Sequence, residues 1–141
     1  MKITIMDKTT LNVLQSALKR IPDRAMAYVG QSIKSNILLN WKQGKDPGGK
    51  AWAPLAPSTI RAKRRKSGKV VMLVDTGNLK NSLNYRAETN KVRIGYSVKY
   101  SIFHQLGTRF MPQRKILPTD ESEIDLEEIK EILLDAILSN K

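Results

Sequence analysis

Proline and glycine placement limits what this 141-residue chain can build. Residues 44–57 contain Gly44, Pro47, Gly48, Gly49, Pro54 and Pro57, too many breakers for a continuous helix or strand, so a long loop is predicted there. Ahead of it, Pro22 divides a helical pattern in two. Leu11, Leu14, Leu18 and Ile21 recur at helical spacing behind Thr9 or Thr10 as a cap, and Met26, Val29, Ile33 and Ile37 form the apolar stripe of a second helix reaching about Trp41.

Beyond the loop, Ser58 is a candidate cap for a short basic helix that ends near Gly68, inside another irregular stretch at 66–69. Val70 to Val74 has strand composition, and Asp75 is placed to cap a helical turn carrying Leu79 and Leu83. Tyr85 to Thr89 and Val92 to Tyr96 alternate polar and apolar residues around Asn90, the pattern of a β-hairpin. Tyr100 to Leu106 fits either a third strand or a turn of helix, and Gly107 opens an irregular stretch over 107–118. Ile124, Ile129, Ile132, Leu133, Ala136 and Ile137 line one face of a last helix whose first turn, around residues 120–125, is acidic as the helix dipole prefers. The expected class is α+β in a single domain over 1–141. Two N-terminal helices and a C-terminal helix pack on a small antiparallel sheet, with long loops at about 42–57, 66–69 and 107–118.

Composition narrows the chemistry. Hydrophobic residues make up 40% of the chain, enough for a core, and no apolar run approaches the roughly 18 residues needed to span a bilayer. A soluble, unsecreted protein with no membrane association is expected. The chain has no cysteine and a single histidine, His104, which removes disulfides, thiolate nucleophiles and multi-histidine metal sites; no metal and no cofactor are expected. Charge is the strongest global signal. Residues 1–118 carry 23 basic and 5 acidic side chains, whereas residues 119–141 carry 2 and 8, within a formal net charge of +12. A basic body joined to an acidic end implies an acidic partner, or a dock for that end on its own or a neighbouring subunit.

Two motifs imitate catalytic signatures and fail on context. Residues 44–51 fall one residue short of a phosphate-binding P-loop. A helix precedes the glycines where a strand is required, Pro54 and Pro57 block a following helix, and Ala51 lacks the hydroxyl that would hold magnesium. Asp75-Thr76-Gly77 matches the aspartic-protease triplet, but the helical reading of the next residues and the missing all-β body argue for capping and turning instead. His104 has no carboxylate or thiol beside it in sequence and reads as a hydrogen-bonded structural residue. Trp41 and Trp52 read as anchors of a core or interface. No catalytic set remains.

The basic run is more tangible. Arg61, Lys63, Arg64, Arg65 and Lys66 place five charges within six residues. They could neutralise phosphates in salt-dependent, sequence-indifferent DNA contact, or face an acidic helix such as the one residues 119–141 provide.

Read in order, the motifs from Trp52 onward resemble the phage virion morphogenesis family, the small tail-completion proteins of contractile-tailed, Mu-like and P2-like bacteriophages. The resemblance is carried by Trp52-Ala53-Pro54-Leu55, Ser58-Thr59-Ile60, Leu73 to Ser82 with Asp75-Thr76-Gly77 at its centre, and Val92-Arg93-Ile94-Gly95. It continues through Tyr100, Ile102 to Gly107 with His104-Gln105, and Met111-Pro112-Gln113-Arg114. Two departures stand out: Lys115 and Ile116 follow Arg114 where the family tends to have proline and an aromatic residue, and Leu106-Gly107-Thr108 replaces a common phenylalanine and glycine pair.

The resemblance implies a non-enzymatic virion assembly protein that completes the tail or forms part of the head-tail junction, as a ring of identical subunits. Its implied partners are tail-tube or head-connector proteins, and it would act in the host bacterial cytoplasm before entering the virion. On this reading the basic run meets an acidic neighbour or DNA, and Trp52, Pro54 and Leu55 anchor the long loop. Asp75, Thr76 and Gly77 cap and turn, and Tyr100, His104 and Gln105 pack the end of the sheet. The competing expectation is a free-standing DNA-binding protein.

Overall fold

The computed structural model describes residues 16, 19, 21–89 and 91–139. The helix predicted over 11–21 lies largely outside them. Helix α1, Asp23–Lys42, begins after the extended Pro22 with Asp23 in its first turn, and buries Ala25, Val29, Gly30, Ile37 and Trp41. It is the scaffold on which the rest is laid, packing against both strands and the C-terminal helix.

The strands are β1, Leu83–Glu88, and β2, Lys91–Tyr96, paired antiparallel from Leu83 opposite Tyr96 to Glu88 opposite Lys91. Along β1 the alternation is direct: Leu83 is buried and Tyr85 and Ala87 are half-buried, while Asn84 and Arg86 are exposed. Gly30 allows helix and sheet to approach closely, since a Cβ there would fall 2.4 Å from the Tyr85 ring.

Five further elements complete the described chain: α2, Pro57–Ser67; α3, Asn78–Asn81; α4, Ser101–Leu106; a 3-10 turn, Glu121–Glu123; and α5, Leu126–Leu138. The class is α+β, with a sheet of two strands. The Asp125 carboxylate caps α5 by accepting from the Glu128 amide at 3.1 Å. Glu128 in turn accepts from Asn36 Nδ2 at 3.0 Å, tying α5 to α1.

Several local expectations are corrected. Val70 to Val74 forms no strand: Gly68 (φ 69°) ends α2 in the left-handed region and Leu73 (φ 55°) turns the chain again, leaving Val70 and Val71 exposed. Two reversals so close together prevent the extended geometry that a run of valines otherwise favours. Ser58 does not cap α2. The helix starts at Pro57 behind Ala56, so the proline ring sets the first turn without a capping oxygen. Asp75 caps nothing either: Gly77 occupies the cap position of α3 without a side-chain bond, and the Asp75 carboxylate instead accepts from Lys66 Nζ at 2.8 Å. Of the stretch 100–106, Ser101–Leu106 is helix with Tyr100 at its cap position, and there is no third strand among the described residues.

The two long loops are part of the core. Trp41, Trp52, Leu79 and Ile116 form its central cluster, with Met72, Leu73, Tyr96 and Val98 packed around them. Trp52 and Ile116 come from irregular segments. The two indoles meet edge to face, their ring centres 5.3 Å apart at 87°. The Trp52 indole N–H donates to the Lys115 carbonyl at 2.8 Å, and the Tyr96 hydroxyl to the Ile116 carbonyl at 3.1 Å.

Candidate docking cleft and basic helix

The segments that carry the motifs converge. An open cleft of about 680 Å³ is lined by Pro54, Leu55 and Pro57, by residues 73–79, and by Tyr100, His104, Phe110 and Met111. These residues are separated by up to half the chain, and the loops meet because specific side chains supply what their backbones lack.

Arg114 is the principal strap. It is only 7% exposed, and its Nε and Nη2 donate at 2.9 Å to the carbonyls of Ala53 and Pro54 respectively. Its own amide donates to the His104 carbonyl at 2.9 Å, so one residue joins the 52–55 loop, α4 and the 107–118 loop. Burial lowers the Arg114 pKa from its ordinary value. Gln105 performs the same work for the next segment: its Oε1 accepts from the amides of Ile116 (2.8 Å) and Leu117 (2.9 Å), and its Nε2 donates to the Leu117 carbonyl (3.0 Å). Lys115 then pairs with Glu123, both side chains largely shielded, and Glu123 also accepts from the Thr119 amide at 2.6 Å. The bond with Lys115 holds the Glu123 carboxyl below its usual range.

His104 faces Tyr100 edge-on, ring centres 6.3 Å apart, and its buried Nδ1 has no hydrogen-bond partner among the described residues, contrary to the hydrogen-bonded histidine expected from sequence. Desolvation first, and the nearby Arg114 charge second, lower its pKa below 6.5, so the imidazole is held neutral at neutral pH. The cleft therefore has a largely apolar lining whose charged groups are already engaged, Lys63 and Arg114 with backbone carbonyls and Asp75 with Lys66.

Of the five basic residues predicted on α2, two are engaged within the chain, Lys63 partly buried and Lys66 at the surface. Lys63 Nζ donates to the Val74 carbonyl, and Lys66 pairs with Asp75, which lowers the Asp75 carboxyl pKa. Arg61, Arg64 and Arg65 are exposed on a helix that buries no residue and make no ion pair among the described residues. The basic cluster is thus two anchors and three free arginines.

The remaining predicted residues are placed as follows. Trp52 anchors the loop by burial, and Pro54 and Leu55 line the cleft beside it. Thr76 Oγ1 accepts from the Asn78 amide at 3.4 Å and Gly77 adopts φ 86°, together making the turn into α3. Gln105 is turned to 116–117, while Tyr100 and His104 stand at the cleft wall. Sequence reasoning missed the roles of Arg114 and of the Lys115–Glu123 pair, whose partners lie on other segments. It also missed an exposed apolar face on α4. The spacing of Ile102, Phe103 and Leu106 could have revealed that face once the segment was read as helix. The P-loop-like residues 44–51 form a tight reversal closed by a bridge between Lys45 and Ala51 and by the Asp46 carboxylate accepting from the Lys50 amide at 2.8 Å.

No helix among the described residues is long and apolar enough to cross a membrane. Comparison with curated proteins and with solved structures returns no match. A family model matches over residues 5–138, nearly the whole chain and well beyond the motifs lining the cleft. On that match the chain belongs to the phage virion morphogenesis family.

Proposed function

We propose that this protein is a non-enzymatic virion component that completes the phage tail or forms part of the head-tail junction, working as a ring of identical subunits on tail-tube or head-connector proteins. The family match supplies the virion context. The observation that carries the docking role is the convergence of the family-like motifs on one open, largely apolar cleft whose charged residues are already engaged within the chain. A component that works by shape needs such a preformed surface and no turnover chemistry. The test is to produce phage particles without the protein and examine them by electron microscopy. Headless or unfinished tails, restored by supplying the protein in trans, are expected; normal infectious particles refute the reading.

The exposed Arg61, Arg64 and Arg65 favour a second reading, sequence-indifferent DNA binding. Gel-shift titration of duplex DNA at two salt concentrations separates the two. Tight binding of free duplex at physiological salt, weakening steeply as salt rises, supports the DNA reading.

A further inference from the structure

Large apolar side chains are exposed at several places among the described residues, and α4 gathers three of them on one short helix. Ile102, Phe103 and Leu106 are all exposed, Leu106 by 66%, and their spacing puts them on one continuous face of the helix. His104 and Gln105 take the inner side. Directly after the helix, a turn closed by the Thr108–Met111 bridge displays Phe110 at 90% exposure. That turn is built: the Thr108 hydroxyl accepts from the amides of Phe110 and Met111, both at 3.2 Å, and Arg109 lies 5.6 Å from the Phe110 ring centre. A hydrogen-bonded turn that holds an aromatic ring out in water marks an interaction surface. Lys99 and Arg109, both exposed, give it a basic rim.

A complementary face exists on α5. Its inner side packs on α1, while Leu134 (57% exposed) and Leu138 (65% exposed) point outward one turn apart. Exposed Glu127, Glu131 and Asp135 recur every four residues beside them, in the segment that holds 8 of the chain's 13 acidic residues; Glu127 is paired with Lys130 at 2.6 Å, so Glu131 and Asp135 are the carboxylates this face offers. One face is apolar with a basic rim, the other apolar with an acidic rim. Within one chain they belong to different parts, α4 being tied to 113–117 and α5 to α1.

We infer that the α4–Phe110 face of one subunit docks the outer face of α5 of a second copy of this chain, head to tail. The apolar centres meet, and Lys99 and Arg109 oppose the carboxylates of α5. Because the two patches differ, the contact leaves one free patch at each end and propagates until a ring closes. This deepens the proposed assembly role and rests on its ring.

The test uses the full-length chain in analytical ultracentrifugation at rising concentration. Wild-type protein is expected to assemble beyond a dimer. Leu106→Asp and Leu134→Asp, each at an exposed position, are each expected to weaken self-association about 30-fold or more, as loss of an interface anchor does, with circular-dichroism melting curves unchanged. Mixed in equal amounts, the two variants retain one intact contact between them and should stop at a dimer. Arg109→Glu should weaken assembly and Glu131→Arg, added in the same chain, should restore it. Wild-type protein that stays monomeric alone and on tail tubes overturns the inference, and so does assembly lost in the α4 variant but intact in the α5 variant. Either outcome leaves the proposed tail-completion role standing, because that role is judged separately by particle morphology.

Discussion

Helix α2 and the loop before it are neighbours in sequence and are held in opposite ways. The helix is regular, buries no side chain, and is fastened by the Lys63 and Lys66 ammonium groups reaching to Val74 and Asp75. The loop has no repeating backbone pattern, yet its Trp52 lies in the central cluster and two of its carbonyls accept from buried Arg114. The difference follows from where backbone polar groups find partners. A helix satisfies most of its own amides and carbonyls, so it can stand in solvent at little cost. An irregular segment must take donors and acceptors from elsewhere in the chain, and the residues that provide them become its anchors. The irregular stretches at 42–57 and 107–118 are for this reason already tied within one chain.

That contrast can be broken most severely at Trp52. Trp52→Ala removes a buried ring and its bond to Lys115, and a loss of about 3–5 kcal/mol is expected in chemical denaturation. A loss below 1 kcal/mol would mean that the loop is not part of the core. Next in size, Arg114→Met strands the carbonyls of Ala53 and Pro54, and Gln105→Leu strands the Ile116 and Leu117 amides. Each should cost about 1–3 kcal/mol, with faster hydrogen exchange at 116–117 in the second.

A gentler perturbation is pH. The His104 pKa lies below 6.5 in the folded protein, so the unfolded chain binds the proton more readily. The associated stability is complete above about pH 6.5 and declines as pH falls below it. His104→Gln should flatten that limb in thermal melts. It should leave the separate decline below about pH 4.5, where Glu123 and Asp75, both with lowered pKa values, take up protons. The smallest effect on stability should come from α2. Converting Arg61, Arg64 and Arg65 together to glutamate should shift stability by less than about 0.5 kcal/mol while abolishing binding to the acidic partner or DNA. Unchanged assembly in that variant would remove the arginines from the interface.

How much of this was legible follows the same division. The stripe of Met26, Val29, Ile33 and Ile37 and the alternation around Asn90 are local patterns, and they correctly located α1 and the hairpin. The apolar face from Ile124 to Ile137 located α5 except at its start: the acidic stretch at 120–125 holds a separate 3-10 turn, Ile124 is extended, and the helix begins at Leu126. Val70 to Val74 was misread because its composition favours a strand while two left-handed residues, Gly68 and Leu73, decide its path. Asp75 was misread because Lys66 lies nine residues away, beyond any local capping pattern. The cleft was the least legible feature. Arg114 meets its acceptors across 60 and 61 residues, a separation over which spacing carries no information, though the motifs that bracket it were visible.

The paired indoles have a practical consequence. Both tryptophans of the chain sit in one cluster, with ring centres 5.3 Å apart. Their emission therefore monitors a single locality, the seam where α1 receives the long loop, and their mutual coupling should produce an exciton signature in the ultraviolet that vanishes when the loop detaches. Neither ring belongs to α4, α5 or the three free arginines, so this optical signal should stay silent while subunits associate. Loss of fold and loss of assembly can thus be followed in the same cuvette by different instruments.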